Sequence, residues 1–297
     1  ICVYQSSARG TVKDKANFKV DEDVSALRKA IEGLGTTEKT LIDVLTQRSS
    51  AQRQLIAKAY EKATGRTLID DLKGDTRGDF EDVLVALVTP PALYDCQEVI
   101  KAMKGAGTTE STLTEIFASR SNKQIRELSE AYLAKTGRAM IHDLQSEVSG
   151  DYGKALLILA EALYEAGEKK WGTDEGKFID ILCHRSVPQL RQTLIEYKNI
   201  SKKTLQESIK SEMSGNLEKL LVAVGRMSLF SKLYLVQGAG TTECTLTRIF
   251  VSRSEIDLID IKVEYKKLFG CSLYSQLESE VSGDYGKTLK CLCGQDE

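Results

Sequence analysis

Short glycine loops with nearly the same residues recur along this chain. Three of them read Gly-x-Gly-Thr-Thr-Glu and begin at Gly33, Gly105 and Gly238. A variant, Gly-Thr-Asp-Glu, begins at Gly172 and has a further glycine, Gly167, five residues before it. Glycine has no β-carbon, so a Gly-x-Gly turn can direct several backbone carbonyl oxygens at one point. Calcium is a hard cation that takes about six to eight oxygen ligands, and it suits such a turn.

A second acidic segment follows every loop at a fixed distance. Counted from Gly35, Gly107, Gly172 and Gly240, the residue 40 positions on is always acidic: Asp75, Glu147, Glu212 and Glu280. Carbonyls alone hold calcium weakly, so we expect this carboxylate to complete the site, with water or a phosphate filling the remaining positions. Without a phosphate ligand the affinity would be poor, roughly 10⁻⁴ to 10⁻³ M. We therefore expect calcium to bind well only against a phospholipid head group.

For a single copy, a plain turn between helices with an acidic cap would explain the pattern equally well. Two further markers argue against that interpretation. An Arg-Ser pair begins 13 residues after each counted glycine, and a tyrosine lies 25 residues after it. Markers that keep register four times indicate an internal repeat of about 70 residues. We expect a segment 1–17 followed by repeats at 18–89, 90–160, 161–224 and 225–297.

The repeats are predicted to be helical throughout. Apolar residues lie 6, 9 and 10 positions after each counted glycine, which is one face of an α-helix. Ser49 to Gln52, Ser121 to Gln124 and Ser186 to Gln189 have the pattern of capping boxes, and Ser254 to Asp257 is close to it. Glycines at 65, 137 and 270 are placed to end the helices that follow. The fold class is therefore all-α, with several short helices in each repeat and no need for strands.

Two junctions between repeats are short. From the late glycine of one repeat to the loop glycine of the next there are 29 residues at the first junction, but 22 at the second and 25 at the third. Either the first helices of the third and fourth repeats are shortened, or residues are missing from the sequence near positions 161 and 225.

The composition disfavours a nucleic-acid-binding protein and a membrane-spanning protein. The net charge of −2 disfavours nucleic acid as a partner, and 41% apolar with 28% charged residues is typical of a soluble protein. Seven cysteines without a framework spacing favour a reducing compartment. No apolar run approaches the length of a membrane helix, and no signal peptide opens the chain. We expect a cytoplasmic protein.

Together, the Gly-x-Gly-Thr loops, the distant acids, the Arg-Ser pairs and the segment Val251 to Leu258 resemble the core of the annexin family. The resemblance covers about Phe18 to Gly294. It implies four repeats of five α-helices, arranged as a curved disc with calcium loops on the convex face. It also implies calcium-dependent, reversible binding to acidic phospholipid membranes, recruitment to membranes when calcium rises, and no catalysis.

The resemblance also implies a ligand set for each repeat, consisting of three loop carbonyls and the distant carboxylate. The sets are Ile31, Gly33, Gly35 and Asp75; Met103, Gly105, Gly107 and Glu147; Gly167, Lys170, Gly172 and Glu212; and Val236, Gly238, Gly240 and Glu280. Lesser sites are expected at Thr36 and Glu38, at Thr108 and Glu110, and at Thr241 and Glu243.

The single tryptophan, Trp171, lies in the third loop beside Lys169, Lys170 and Gly172. A lone tryptophan in a helical protein is more often part of the core. These neighbours are not core residues, however, and an indole at head-group level would keep its ring in lipid and its N–H in water. We expect Trp171 to contact the membrane.

Other features of the sequence favour different functions less strongly. The repeated arginines beginning with Arg48 could bind phosphate, but between two helices they are expected to satisfy carbonyls at helix ends. A phospholipid-directed enzyme would need a clustered acid–base pair, and none is evident. A helical scaffold for protein partners, with vestigial calcium loops, is the main alternative. The segment 1–17 shows no amphipathic periodicity, and a protein partner for it stays unknown.

Overall fold

The computed structural model of the chain describes residues 9–33, 37–104, 108–161, 183, 197, 204–212, 214–227 and 243–295. These residues are mostly α-helical and include no strand, which confirms the all-α prediction for the described part of the chain. None of the described helices is long and apolar enough to cross a membrane.

The chain divides into two compact units. The first contains Ile1–Pro91 and Val236–Glu297, and the second contains Ala92–Leu235. The first unit holds helices α1 (Val20–Glu32), α2 (Glu38–Thr46), α3 (Ser50–Thr64), α4 (Leu68–Asp75) and α5 (Gly78–Val88). The second holds α6 (Pro91–Met103, starting at the boundary), α7 (Glu110–Ser119), α8 (Asn122–Thr136), α9 (Met140–Glu147), α10 (Gly150–Glu161), α11 (Leu205–Glu212) and α12 (Gly215–Met227). The first unit is completed by α13 (Glu243–Arg253), α14 (Leu258–Phe269), α15 (Leu273–Glu280) and α16 (Gly283–Cys293).

Helix ends follow the predicted caps in the first two repeats. Ser49 and Ser121 each accept from the backbone N–H three residues on, and Gln52 and Gln124 accept the return bond, which completes two capping boxes. The glycines after α3, α8 and α14 all adopt the left-handed conformation, with φ of 73°, 72° and 73°. A side chain is strained at that φ, so glycine ends these helices. The box at Ser186 lies outside the described residues.

The fourth repeat departs from this pattern. Its third helix begins at Leu258, and the side chain of Ser254 lies 3.4 Å from the carbonyl of Val251 instead of capping. The near capping box predicted at Ser254 is therefore wrong. Asp257 is occupied by an ion pair with Arg253 and gives α14 no side-chain cap.

The predicted apolar face is buried. Leu41, Val44 and Leu45 in α2 are at most 7% exposed, and the equivalent residues of α7 and α13 are at most 3% exposed. The equivalent residues of the third repeat, at 178, 181 and 182, lie outside the described part. Burial of this face, at about 25 cal/mol per Å² of apolar surface, is the main favourable term that holds each unit together.

Buried ion pairs join the first helix of a repeat to the end of the second. Arg48 donates from Nε and Nη2 to Asp23 at 2.6 and 2.7 Å, and Arg120 makes the same pair of bonds with Asp95 at 2.8 and 2.7 Å. The expectation that these arginines mainly satisfy helix-end carbonyls is therefore wrong, although Arg48 also donates to the carbonyl of Gln47 at 3.0 Å. A buried guanidinium needs an opposite charge, and a carbonyl supplies only a dipole.

The start of the described chain is fixed on the first unit. The backbone N–H groups of Arg9 and Val12 donate to the carbonyls of Ile256 and Ser254 at 2.9 and 3.0 Å. Gly10 lies so close to this turn that a β-carbon would stand 2.3 Å from the carbonyl carbon of Glu255. Only glycine fits that approach.

Replacing Asp95 with alanine should strongly destabilise the second unit. The Arg120 side chain is 1% exposed, and without Asp95 its charge would be buried without its ion-pair partner. We expect Asp95→Ala to cost about 3 to 5 kcal/mol in urea unfolding. Asp151→Ala, which removes an exposed ion pair with Lys154, serves as the control and should cost less than about 1 kcal/mol. Equal costs for the two variants would contradict this account.

Candidate calcium loops

In the first repeat, the predicted loop and the predicted carboxylate meet in one cleft. Helix α1 ends at Glu32 and helix α4 ends at Asp75. Ile31 and Asp75 both line a cleft of about 440 Å³ whose other lining residues are Glu32, Arg66, Asp70, Asp71 and Gly74. The structure therefore brings together two of the four ligands expected in this repeat, and Gly33 directly follows α1.

The same backbone bond closes the first and second loops. The N–H of Thr37 donates to the carbonyl of Ala30 at 3.1 Å, and the N–H of Thr109 donates to the carbonyl of Ala102 at 2.8 Å. This bond draws the chain back onto the last turn of the preceding helix. The two helices end at Glu32 and Met103, so the carbonyls of Ile31 and Met103 have no donor further along the helix and are available to a cation.

In the second repeat the loop touches the acid directly. Thr108 Oγ1 lies 3.3 Å from Glu147 Oε2 and also 3.3 Å from the backbone carbonyl of Glu147. Met103 is the last residue of α6, and Glu147 is the last residue of α9. The two ends of this predicted site therefore lie within hydrogen-bonding distance of each other.

Every predicted carboxylate is the last residue of a helix: Asp75, Glu147, Glu212 and Glu280 end α4, α9, α11 and α15. This is an unfavourable place for an anion, because the C-terminal end of a helix carries a partial negative charge. A bound cation would reverse the sign of that interaction, since it meets both the carboxylate and the free carbonyls of the last turn. The arrangement has the donor chemistry that calcium prefers.

The third and fourth sites are described only in part. Glu280 accepts from Gln276 Nε2 at 2.6 Å, so its carboxylate is held by its own helix. The helix that ends at Glu212 is described, but the side chain of Glu212 is not. Twelve predicted residues lie outside the described part of the chain: Gly35, Thr36, Gly105, Gly107, Gly167, Lys170, Trp171, Gly172, Val236, Gly238, Gly240 and Thr241. Among the described residues, no group of three or more His, Cys, Asp or Glu side chains could hold a metal ion.

The acids of the expected lesser sites begin helices. Glu38, Glu110 and Glu243 are the first residues of α2, α7 and α13. The phenols of Tyr152 and Tyr285 donate to the carbonyls of Glu110 and Glu243 at 3.0 and 2.7 Å, which leaves the carboxylates as the groups to bind an ion. Burial raises the pKa of Tyr152 to about 12, so this donor keeps its proton. Glu38 lines a second cleft, of about 450 Å³, together with Asp75.

Sequence reasoning missed a polar cluster beside the first two sites. Tyr60 Oη donates to Asp71 Oδ2 at 2.7 Å, and Arg66 Nε forms an ion pair with Asp71 Oδ1 at 3.1 Å. Burial, followed by the hydrogen bond to Asp71, raises the pKa of Tyr60 well above its usual value. The tyrosine was found as a repeat marker, but its partner was not.

The second repeat has the same cluster. Tyr132 Oη donates to Asp143 Oδ2 at 2.6 Å, and Arg138 pairs with Asp143 at 3.1 Å. The arginine and the aspartate lie 31 and 36 positions after the counted glycine in both repeats, which is the signal that could have revealed them.

Comparison with known proteins gives one family over most of the chain. The sequence model of the annexin family matches residues 22–87, 94–159, 158–224 and 234–292. Annexin A3 of Mus musculus is 50% identical over 315 aligned positions, covering 97% of this chain and 98% of the relative. That alignment is longer than the 297 residues of the chain, so the relative has residues without a counterpart here.

Solved structures of the family have the same fold. The structure of annexin III gives a TM-score of 0.88 at 49% identity and covers 97% of this chain and 98% of its own. A calcium-bound annexin (Sm)1 gives a TM-score of 0.85 at 32% identity, with 97% and 93% covered. These likenesses agree with the four helical repeats found in the sequence.

Tyrosine-to-phenylalanine changes should measure the clusters beside the first two sites. Tyr60→Phe and Tyr132→Phe each remove a hydrogen bond to a carboxylate that is at most 16% exposed, so each should cost about 1.5 to 3 kcal/mol in urea unfolding. Tyr265→Phe is the matched change in the fourth repeat, where the equivalent of Asp71 is Gln276, and it should cost less. A cost at Tyr265 as large as at Tyr60 would contradict this ranking.

Proposed function

The chain belongs to the annexin family, and because that membership supports calcium-dependent phospholipid binding in general, we propose that this chain binds reversibly to acidic phospholipid membranes through its four loops. In each repeat, carbonyls of the glycine loop and the distant carboxylate would hold one calcium ion, and a lipid phosphate would complete the coordination. Bound calcium supplies the positive charge toward lipid that a chain of net charge −2 lacks.

The observation that carries this proposal is the meeting of two helix C-termini at the first site. Ile31 at the end of α1 and Asp75 at the end of α4 line the same cleft. Both helix ends present partial negative charge, and Asp75 adds a full one. The contact of Thr108 with Glu147 supports the same arrangement in the second repeat. The calcium-bound annexin (Sm)1 supports the choice of ion.

The proposed ligands are those named from the sequence for each repeat, with Asp75, Glu147, Glu212 and Glu280 as the four carboxylates. A residue that contributes only its carbonyl, such as Ile31 or Met103, can be exchanged for another without losing the ligand. The carboxylates cannot, because each is the only charged group in its proposed set. Calcium binding should therefore respond to changes at the four acids and much less to changes of loop side chains.

Three further statements belong to the proposal. The protein would be cytoplasmic and move to membranes when calcium rises. It would carry out no catalysis, in keeping with a family known for binding. The repeat boundaries at 18–89, 90–160, 161–224 and 225–297 are proposed on sequence grounds, and a protein partner for the segment 1–17 stays unknown. A helical scaffold with vestigial calcium loops is the alternative, and vesicle binding separates the two.

Co-sedimentation with phosphatidylserine vesicles tests the main proposal. We expect the protein to sediment with vesicles in millimolar calcium and to return to the supernatant when a chelator is added. Asp75→Asn, Glu147→Gln, Glu212→Gln and Glu280→Gln should each raise the calcium concentration for half-maximal sedimentation, because each removes the only charged ligand of one site. The four changes combined should abolish sedimentation at millimolar calcium.

The control is Glu278→Gln, which removes an exposed carboxylate from the same helix as Glu280 without touching a proposed site. Its calcium dependence should match that of the unaltered chain. Sedimentation that is absent at millimolar calcium would favour the scaffold. Sedimentation that survives the fourfold change would contradict the assignment of these four carboxylates as the calcium ligands.

Trp171 offers a direct report of membrane contact, because it is the only tryptophan. We expect its fluorescence to shift to shorter wavelength when vesicles and calcium are both present, since the indole would enter the head-group region. Calcium without vesicles should leave the spectrum nearly unchanged. Trp171→Ala should weaken vesicle binding at saturating calcium. A spectrum that never responds to vesicles would show that the indole stays away from lipid.

A further inference from the structure

Arg66 connects the two halves of the first site. Its guanidinium forms an ion pair from Nη2 with Glu32 Oε1 at 3.5 Å and from Nε with Asp71 Oδ1 at 3.1 Å. Glu32 lies between Ile31 and Gly33, whose carbonyls are proposed ligands, and Asp71 lies one helical turn before Asp75. All of these residues except Gly33 line the same cleft.

Both acidic partners of Arg66 make a further bond that restrains their side chains. Glu32 is also paired with Arg28 at 2.8 Å, which fixes its side chain against α1. The Asp71 side chain is only 9% exposed, and the phenol of Tyr60 holds its other oxygen at 2.7 Å. Arg66 therefore links the end of α1 to the body of α4, and with it the loop carbonyls to the carboxylate that must bind the same ion.

The second repeat provides a natural comparison. Arg138 pairs with Asp143 at 3.1 Å just as Arg66 pairs with Asp71. The position equivalent to Glu32 is occupied by Lys104, a cation that cannot accept an ion pair from arginine. Arg138 can thus support α9 but cannot connect it to the end of α6 through this position.

We propose that Arg66 is a positioning residue of the first calcium site, holding the loop end of α1 and the acid end of α4 at the separation that one calcium ion requires. The inference rests on the proposed function, in that it takes this cleft as a calcium site. The second site lacks this arginine connection, and there the loop meets the acid through the contact of Thr108 with Glu147 instead.

A positioning role and simple charge repulsion predict opposite effects on calcium affinity when the Arg66 side chain is removed. A positive charge in the cleft repels calcium, so charge alone predicts that Arg66→Gln tightens calcium binding. Positioning predicts weaker binding, because the loop and the acid then have to be ordered by the ion itself. The ion pairs of Arg66 are partly exposed, so the expected loss of calcium affinity is modest, roughly two- to fivefold.

The experiment isolates one site at a time in the full chain. In the first-site parent, Glu147→Gln, Glu212→Gln and Glu280→Gln leave Asp75 as the remaining site carboxylate. In the second-site parent, Asp75→Asn, Glu212→Gln and Glu280→Gln leave Glu147. Two readouts are taken from each: the calcium concentration for half-maximal sedimentation with phosphatidylserine vesicles, and Tb³⁺ luminescence titrated without lipid.

Arg66→Gln in the first-site parent should raise the half-maximal concentration of both ions about two- to fivefold. Arg138→Gln in the second-site parent should not raise it, although it removes the same pairing with an aspartate. An unchanged or lowered value for Arg66→Gln would overturn the proposal. So would equal increases for the two arginines, because the effect would then come from the aspartate pairing alone.

Glu32→Gln breaks the connection from the other end and leaves Asp71 paired, so it tests the proposal even if Arg66→Gln unfolds the cleft. The double variant Glu32→Gln with Arg66→Gln should bind no worse than the weaker single variant. If the losses of affinity in the two single variants added up in the double variant, Glu32 and Arg66 would not act through one shared ion pair. Thermal unfolding of each variant identifies any general loss of structure.

The converse experiment gives Arg138 of the second repeat an acidic partner at position 104. Lys104→Glu in the second-site parent should tighten binding more when Arg138 is present than in an Arg138→Gln background. An equal gain in both backgrounds would mean that only the charge at position 104 matters, which counts against positioning by arginine.

Different results would contradict the membrane function and the positioning role of Arg66. If the unaltered chain never sediments with vesicles, the membrane function fails, and the Tb³⁺ titrations of the first-site parent still decide the role of Arg66. If the parent binds vesicles and Arg66→Gln has no effect, the function stands and the positioning role is lost. A first-site parent that binds neither vesicles nor Tb³⁺, while the unaltered chain binds both, would show that this cleft is not a calcium site and would overturn the positioning role.

Discussion

In the first repeat, two helix C-termini meet at one cleft, and the surrounding fold has to keep them there. The end of α1 and the end of α4 face the same cleft, and α4 ends in an acidic residue. Left alone, these ends repel each other, because each carries partial negative charge and unpaired carbonyls. The fold must hold them together before any ion arrives. The energy for this has to come from contacts elsewhere in the repeat.

Those contacts are the apolar face of each second helix and a small number of buried polar pairs. The apolar face gives most of the stability but little direction, because hydrophobic burial is not directional. Asp23 with Arg48, and Tyr60 with Asp71, add direction, since each joins atoms of defined geometry from different helices. The first pair fixes α1 against the end of α2, and the second fixes α3 against α4. Together they set where the two helix ends point.

Much of this framework could be predicted from sequence, because periodicity and caps are local signals. The buried residues Leu41 and Leu45 follow from helical spacing, and the end of α3 follows from Gly65. The partner of Arg48 could not be predicted in the same way. Three consecutive acids, Asp21 to Asp23, lie in the first turn of α1, and only the rotation of the packed helix selects Asp23. The ligand carbonyls pose the same difficulty, since a carbonyl leaves no trace in the residue type.

The repeats share the arginine, tyrosine and acidic residues at fixed spacing, but the side chains that contact these residues differ between repeats. In the fourth repeat, Arg253 pairs with Asp257 four residues on, and Gln276 donates to Glu280 at 2.6 Å. In the first repeat, the residue equivalent to Gln276 is Asp71, which accepts from Tyr60. Groups around a ligand orient it and tune its affinity, so sites with equivalent carboxylates need not bind equally. If the four proposed sites differ in this way, they would fill over a range of calcium concentrations. Attachment to a membrane would then strengthen in steps, with each added site raising the effective concentration of the next.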